Sequence, residues 1–171
     1  MSKIILTRID DRLVHGQIFM QWCGEVNADM ILIANNDAAA SHFKQGLMDM
    51  AVPADIETRY WSIKETIIRY QKMENDYRIF LVVRSPEDLV ELIKGGLDVQ
   101  KVNIGNLQMA EGKIQKTTSV SVNEDDIKAF RQLKDMGCQM EIKDCRRVNQ
   151  KILMQSLADN EKYLLFPKYI G

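Results

Sequence analysis

The chain has 171 residues, 46% of them hydrophobic, which suits one domain with a real core and excludes a disordered or fibrous chain. A formal net charge of −1 and a pI near 6.1 exclude a broad basic face for nucleic acid. The apolar runs are too short to cross a bilayer, the N-terminus has no signal-peptide core, and Cys23, Cys138 and Cys145 form no C-x-x-C pair, so a cytoplasmic protein with reduced thiols and no metal or cofactor is expected.

The first predicted strand, residues 4–6, runs into the stretch RIDDRLVHGQ, residues 8–17. An apolar helical pattern follows: Ile18, Phe19, Trp22, Cys23 and Val26. His15 thus falls where a strand hands over to a helix. In an open α/β sheet that is the usual ligand edge, and the first helical turn offers unpaired backbone N–H groups to an anion. Arg8 and Arg12 flank the same turn, so a phosphoryl group on the imidazole would meet guanidinium forks. The stretch reads as a phosphoryl-accepting histidine, against the plainer reading of a histidine that caps a helix. Asp10 and Asp11 would repel a phosphate unless one pairs with an arginine or accepts a hydrogen bond from the imidazole; the spacing leaves open which.

A second strand, residues 30–34, leads to a helix running to about residue 50 whose first turn Asp37 is expected to cap, and Phe43, Leu47, Met48 and Met50 are expected in the core. His42, in this helix, is expected to be a structural or solvent-facing histidine. A third strand, residues 56–61, precedes a helix opened by the Ser62 and Glu65 capping box and extending to about residue 73. Strand 79–83 is apolar throughout, as a parallel strand covered on both faces should be. The next helix has Ser85 as cap, Pro86 in its first turn, and Gly95 and Gly96 at its end. Strand 101–104 ends at Gly105 and Asn106, where Gly105 offers backbone N–H groups, and Lys113 is a further candidate for the ligand edge. Strand 119–122, a helix capped by Asn123, and strand 138–143 complete the alternation. The fold expected is an α/β three-layer sandwich, a single doubly wound domain with a mainly parallel sheet and right-handed crossovers. No G-x-G-x-x-G or P-loop pattern occurs, so neither nucleotide cradle is supported.

RIDDRLVHGQ closely resembles the active-site signature of the enzyme IIB components (EIIB) of the mannose, fructose, sorbose and N-acetylgalactosamine branch of the bacterial phosphoenolpyruvate-dependent sugar phosphotransferase system. ILIANND (31–37), RIFLVVRSPED (78–88), KVNIGN (101–106), GK (112–113) and SVSVNEDDIKAFRQLKDMG (119–137) match along the chain, so the resemblance covers residues 3–143. It weakens after the last strand, where DCRRVNQ, residues 144–150, stands in place of the family's valine-proline pair; Arg146 and Arg147 read as solvated or as a small docking patch. The tail, residues 159–171, carries enough apolar bulk to dock on the body or on another subunit.

The resemblance implies a protein-N(pi)-phosphohistidine–sugar phosphotransferase component. A phosphorylated EIIA donates to Nδ1 of His15, and the group passes to a sugar carried by membrane EIIC and EIID, with the protein at the inner face of the permease. Arg12 matches the family arginine that holds the moving group. Arg8, Gly16 and Gln17 are expected to support the phosphate, and Asp10 and Asp11 to stand behind them. The NIGN run and QWCG, residues 21–24, look closer to N-acetylgalactosamine members, so an amino sugar is favoured. A homo-oligomer is allowed. Two alternatives remain at this stage: a noncovalent phosphometabolite binder using the same pocket, and a small hydrolase using His15 with Asp10 or Asp11.

Overall fold

The computed structural model describes residues 1–16, 22, 26–142 and 152–153. Among them the strands are β1 (Lys3–Ile9), β2 (Met30–Ala34), β3 (Glu57–Trp61), β4 (Arg78–Val83), β5 (Lys101–Ile104), β6 (Ile114–Gln115), β7 (Ser121–Val122), β8 (Gln139–Ile142) and β9 (Ile152–Leu153). The main sheet has the order β3-β2-β4-β1-β5-β8-β9. Its first six strands are parallel, and β9 pairs antiparallel with β8. The helices are α1 (Asn36–Ala39), α2 (His42–Asp49), α3 (Ile63–Tyr70), α4 (Pro86–Lys94) and α5 (Glu124–Asp135).

The unbroken apolar strands follow from burial on both sides. Met30, Leu32 and Ala34 of β2 and Ile79, Leu81 and Val83 of β4 join one core with residues of α3, α4 and α5. Ile31, Ile33, Phe80 and Val82 face the other core, with Leu13, Val14, Trp22, Ala38 and Met48. Alternate side chains thus fill opposite layers, which makes the three-layer α/β sandwich. The chain leaves β1 and β2 on the Trp22 and Met48 face, and leaves β3, β4 and β5 on the other. β1 lies between β4 and β5, whose following helices cover the opposite face, so the carboxyl end of β1 is a topological switch point, the place where ligands bind in open α/β sheets.

One irregularity decides which side chains stand at that strand end. The pairing of β1 with β4 shifts between Ile4 and Leu6, which puts Leu6 opposite Phe80 and Arg8 opposite Val82. In an unbroken strand Ile4 and Leu6 would share a face; here Ile4 lies in one core and Leu6 in the other. The bulge therefore turns Arg8 and Asp10 toward the face that carries Leu13 and Val14.

Helix starts are as the sequence predicts at α3, where Ser62 and Glu65 form a reciprocal capping box, and at α4, capped by Ser85 with Pro86 in its first turn. Three expectations are corrected. The helix expected to run unbroken to residue 50 is split at Ala40 and Ser41 into α1 and α2, because Asn35, in place of Asp37, caps the first, accepting from Ala38 N–H, and Ser41 caps the second. On α2 only Met48 is buried, while Phe43, Leu47 and Met50 stand 78%, 54% and 83% exposed. Ala51, Val52 and Ile56, just past the helix, make the apolar contacts that stripe was expected to make. The strand expected at residues 119–122 is β7, which pairs antiparallel with β6 in a separate ribbon instead of entering the main sheet. Cys138 is buried and its Sγ–H donates to Val99 O at 3.4 Å, with burial pushing the thiol pKa up. The expectations for Cys23, Cys145, Arg146, Arg147 and the tail lie outside the described residues.

Phe80 is fully buried at the centre of the sheet between β2 and β1. Phe80→Ala should lower unfolding stability by about 3–5 kcal/mol through lost transfer energy and the cavity left behind, read as a reduced urea midpoint at unchanged m-value.

Candidate functional site

The loop after β1 is built around the carboxylate of Asp10, which is wholly buried. Its Oδ2 accepts from Arg8 Nε at 3.2 Å and Arg8 Nη2 at 3.0 Å, and from Asn106 Nδ2 at 2.9 Å. Its Oδ1 accepts from the Arg12 backbone N–H at 3.1 Å. The main chain of Asp10 is fixed as well: its N–H donates to Val83 O at 2.9 Å, and its carbonyl accepts from Leu13 N–H at 2.9 Å. Strand end, turn and the β5 loop therefore meet on one side chain.

Arg8 has 2% of its surface exposed. Beyond Asp10, its Nη1 donates to Asn103 Oδ1, and its guanidinium lies 5.7 Å from the centre of the Trp22 ring. The phosphate-support role expected for Arg8 is not available in this position, since the guanidinium is enclosed and committed to protein partners. Gly105 explains how so large a group fits. A Cβ at that position would lie 2.2 Å from Arg8 Nη2, so only glycine lets the β5 loop pass over the guanidinium. The Gly105 N–H was expected to serve a ligand; it donates to Ile9 O at 2.9 Å.

Asp11 ties the same loops together from outside. Its N–H donates to Asn106 O at 2.9 Å, and its Oδ2 accepts from Gln108 N–H at 2.5 Å. The two aspartates thus divide the work: Asp10 neutralises the arginine, and Asp11 clasps the neighbouring backbone.

The turn then brings His15 and Arg12 outward. Leu13 has φ 58° and Gly16 φ 62°, and this tight left-handed path lifts His15 to the rim while Leu13 and Val14 stay in the core. The His15 side chain is 24% exposed. Nδ1 lies 3.0 Å from Leu13 O and 4.0 Å from Asp10 Oδ1, whereas Nε2 is covered and has no hydrogen-bond partner among the described residues. A carbonyl only accepts, so this contact holds the tautomer with the proton on Nδ1. Arg12 is exposed, and its guanidinium has no ion pair or hydrogen bond among the described residues. A histidine and an uncommitted guanidinium on one turn, anchored to a rigid buried pair, form an arrangement able to receive an anion.

Lys113 lies elsewhere. Its Nζ is 3.1 Å from Asp126 Oδ2, and Asp126 is the capping-box residue that accepts from Asn123 N–H, so the lysine serves the start of α5. Gly16 belongs to the turn, and Gln17 lies outside the described residues. His42 is exposed on α2, as expected. Asn106 was expected at the ligand edge only as a strand end and Asn103 was not singled out, although one signal was present: an asparagine inside the apolar strand KVNI must find a partner when buried, and that partner is Arg8.

Residues 4–165 match the family model described as PTS system sorbose subfamily IIB component. The chain is 39% identical over 137 residues to the N-acetylgalactosamine-specific phosphotransferase enzyme IIB component 2 of Escherichia coli (strain K12), covering 80% of this chain and 87% of that one. It is 32% identical over 139 residues to the mannose-specific EIIAB component of the same organism, covering 81% of this chain and 43% of that longer protein. The crystal structure of the N-acetylgalactosamine-specific IIB component 1 from Escherichia coli superposes with a TM-score of 0.81 at 34% identity, covering 87% of this chain and 97% of that one.

Two substitutions probe the buried pair. Arg8→Met leaves Asp10 charged without its main partner and should cost about 3–5 kcal/mol. Gly105→Ala should destabilise by about 1–3 kcal/mol through overpacking on the guanidinium. Chemical denaturation of both variants against the parent measures each cost.

Proposed function

The chain belongs to the sorbose subfamily of phosphotransferase-system IIB components, and on that premise we propose that it is a phosphoryl carrier acting through His15. The observation that carries this reading is the pairing, on one turn, of a half-shielded imidazole with the uncommitted guanidinium of Arg12. The donor is a phosphorylated EIIA, and the acceptor is a sugar held by membrane EIIC and EIID. A relative whose name joins A and B in one chain supports the donor, and N-acetylgalactosamine-specific relatives support an amino sugar as the cargo. Among the described residues no helix is long and apolar enough to cross a membrane, so passage of the sugar falls to the membrane partners in this reading.

The chemistry asks mainly for alignment and charge. Transfer between two imidazoles passes through a loose, metaphosphate-like state whose charge lies on the equatorial oxygens. Attack by Nδ1 requires the ring proton on Nε2 and a turn of the ring away from the Leu13 carbonyl, because the resting contact uses that nitrogen as a donor. Arg12 then meets the phosphoryl oxygens with a bidentate fork worth about 2 kcal/mol, a modest sum that suits a group passed on rather than stored. Arg8 acts one step back: by pairing with Asp10 it fixes the carboxylate that holds the Arg12 backbone.

Incubation with phosphoenolpyruvate, the two general phosphotransferase proteins and the matching EIIA, followed by intact-mass and site-mapping analysis at alkaline pH, should show one phosphoryl group on His15. It should be absent without EIIA and in His15→Ala. Arg12→Lys should slow transfer about tenfold, equivalent to ~1.4 kcal/mol of barrier, and His42→Ala should leave it unchanged. An unmodified His15 beside demonstrably active EIIA proteins of every type would favour the noncovalent binder instead.

A further inference from the structure

We infer that Arg84 is a second guanidinium for the phosphoryl group on His15, held against Asp37 until that group arrives; the inference rests on the relay reading above and adds a contact to it. Arg84 directly follows β4, the strand beside β1. The parallel register sets Ile9 against Val83, and Asp10 N–H donates to Val83 O, so Arg84 comes alongside Asp10, whose Oδ1 is 4.0 Å from His15 Nδ1. Neighbouring strands are about 4.8 Å apart, less than the reach of an arginine side chain.

The side chain lies on the correct face. Phe80 and Val82 face the core that holds Leu13 and Val14, and Arg84 is next in that alternation. Its Nη1 lies 3.2 Å from Asp37 Oδ2 on α1, and Ala38 of that helix packs into the same core. The guanidinium therefore stands on the His15 side of the sheet.

Arg8 and Arg84 differ in how tightly they are held. Arg8 is enclosed with a buried carboxylate, whereas the Arg84 and Asp37 side chains are 51% and 62% exposed. An ion pair so open to water exchanges partners readily, and a phosphoryl dianion with three acceptor oxygens is a better partner for a planar fork than one carboxylate. In the transfer, the donor N–P bond breaks and its electron pair returns to the donor imidazole. The Nδ1 lone pair of His15 forms the new N–P bond while Nε2 keeps the ring proton. Arg84 exchanges the Asp37 carboxylate for a phosphoryl oxygen, and no covalent bond of its own changes.

The test charges the full chain with phosphoramidate, a small phosphoryl donor that brings no protein surface, and follows phosphohistidine by phosphorus NMR and site-mapped mass at alkaline pH. Arg84→Gln should slow charging of His15 at saturating donor by about tenfold or more. Arg84→Lys should recover part of the loss, and Asp37→Asn, which releases the arm, should charge faster than the parent. An Arg84→Gln protein that charges at the parental rate overturns the inference while leaving the relay intact. Equal slowing by Arg84→Gln and Asp37→Asn overturns it too, in favour of a pair that only supports the loop. A parent protein that takes no phosphoryl group on His15 from either phosphoramidate or phosphorylated EIIA fails the relay reading itself, and this inference with it.

Discussion

The site depends on a buried charge that must be neutralised. Asp10 and Arg8 are both inside the fold, and neither is tolerable there alone: the cost of leaving one buried ion unpaired exceeds most single contributions to stability. Each remaining partner completes that neutralisation. Asn106 and the Arg12 backbone occupy the carboxylate, Asn103 takes Nη1, Trp22 lies by the guanidinium, and Gly105 withholds a Cβ that would collide with it. The β1 and β5 loops cannot move independently while this holds, and the turn that carries Arg12 and His15 inherits their rigidity.

The arrangement separates the charges that build the site from those left open to solvent. Arg8 is permanently engaged, whereas Arg12 stands in solvent without a partner among the described residues. Motif and side chains alone suggest that both arginines face the ligand. Their division follows from the register shift between Ile4 and Leu6, which turns Arg8 inward with Phe80 and Val82, and from the left-handed turn at Leu13, which releases the chain toward the rim. A bulge just before the motif thus decides what the motif's first arginine touches.

Where expectation and structure part, the reason is a neighbour that spacing does not reveal. The period of Phe43, Leu47 and Met50 marks one face of α2, but whether an element lies over that face is set by the sheet and by Ala51, Val52 and Ile56, which reach the core in their place. Lys113 was expected at the ligand edge, yet the lysine neutralises Asp126 at the start of α5. Strand 119–122 carries enough β character to be recognised, but it finds its partner in β6 across a short loop and not in the parallel sheet.

The sequence by itself determined the class of fold and singled out His15. Apolar strands alternating with capped helices permit little besides a parallel α/β sandwich, and side-chain caps such as Ser62, Ser85 and Asn123 act through residues three positions away, so they are legible locally. His15 and Arg12 were legible for the same reason, since they share one short turn. Tertiary structure decided the rest: the sheet order, the burial of Arg8, the meeting of Arg8 with Asn103 and of Asp10 with Asn106 across almost a hundred residues of chain, and the ring contact that sets the resting tautomer of His15. Those facts depend on which strands become neighbours and in what register, and both are settled only when the two cores close over the sheet.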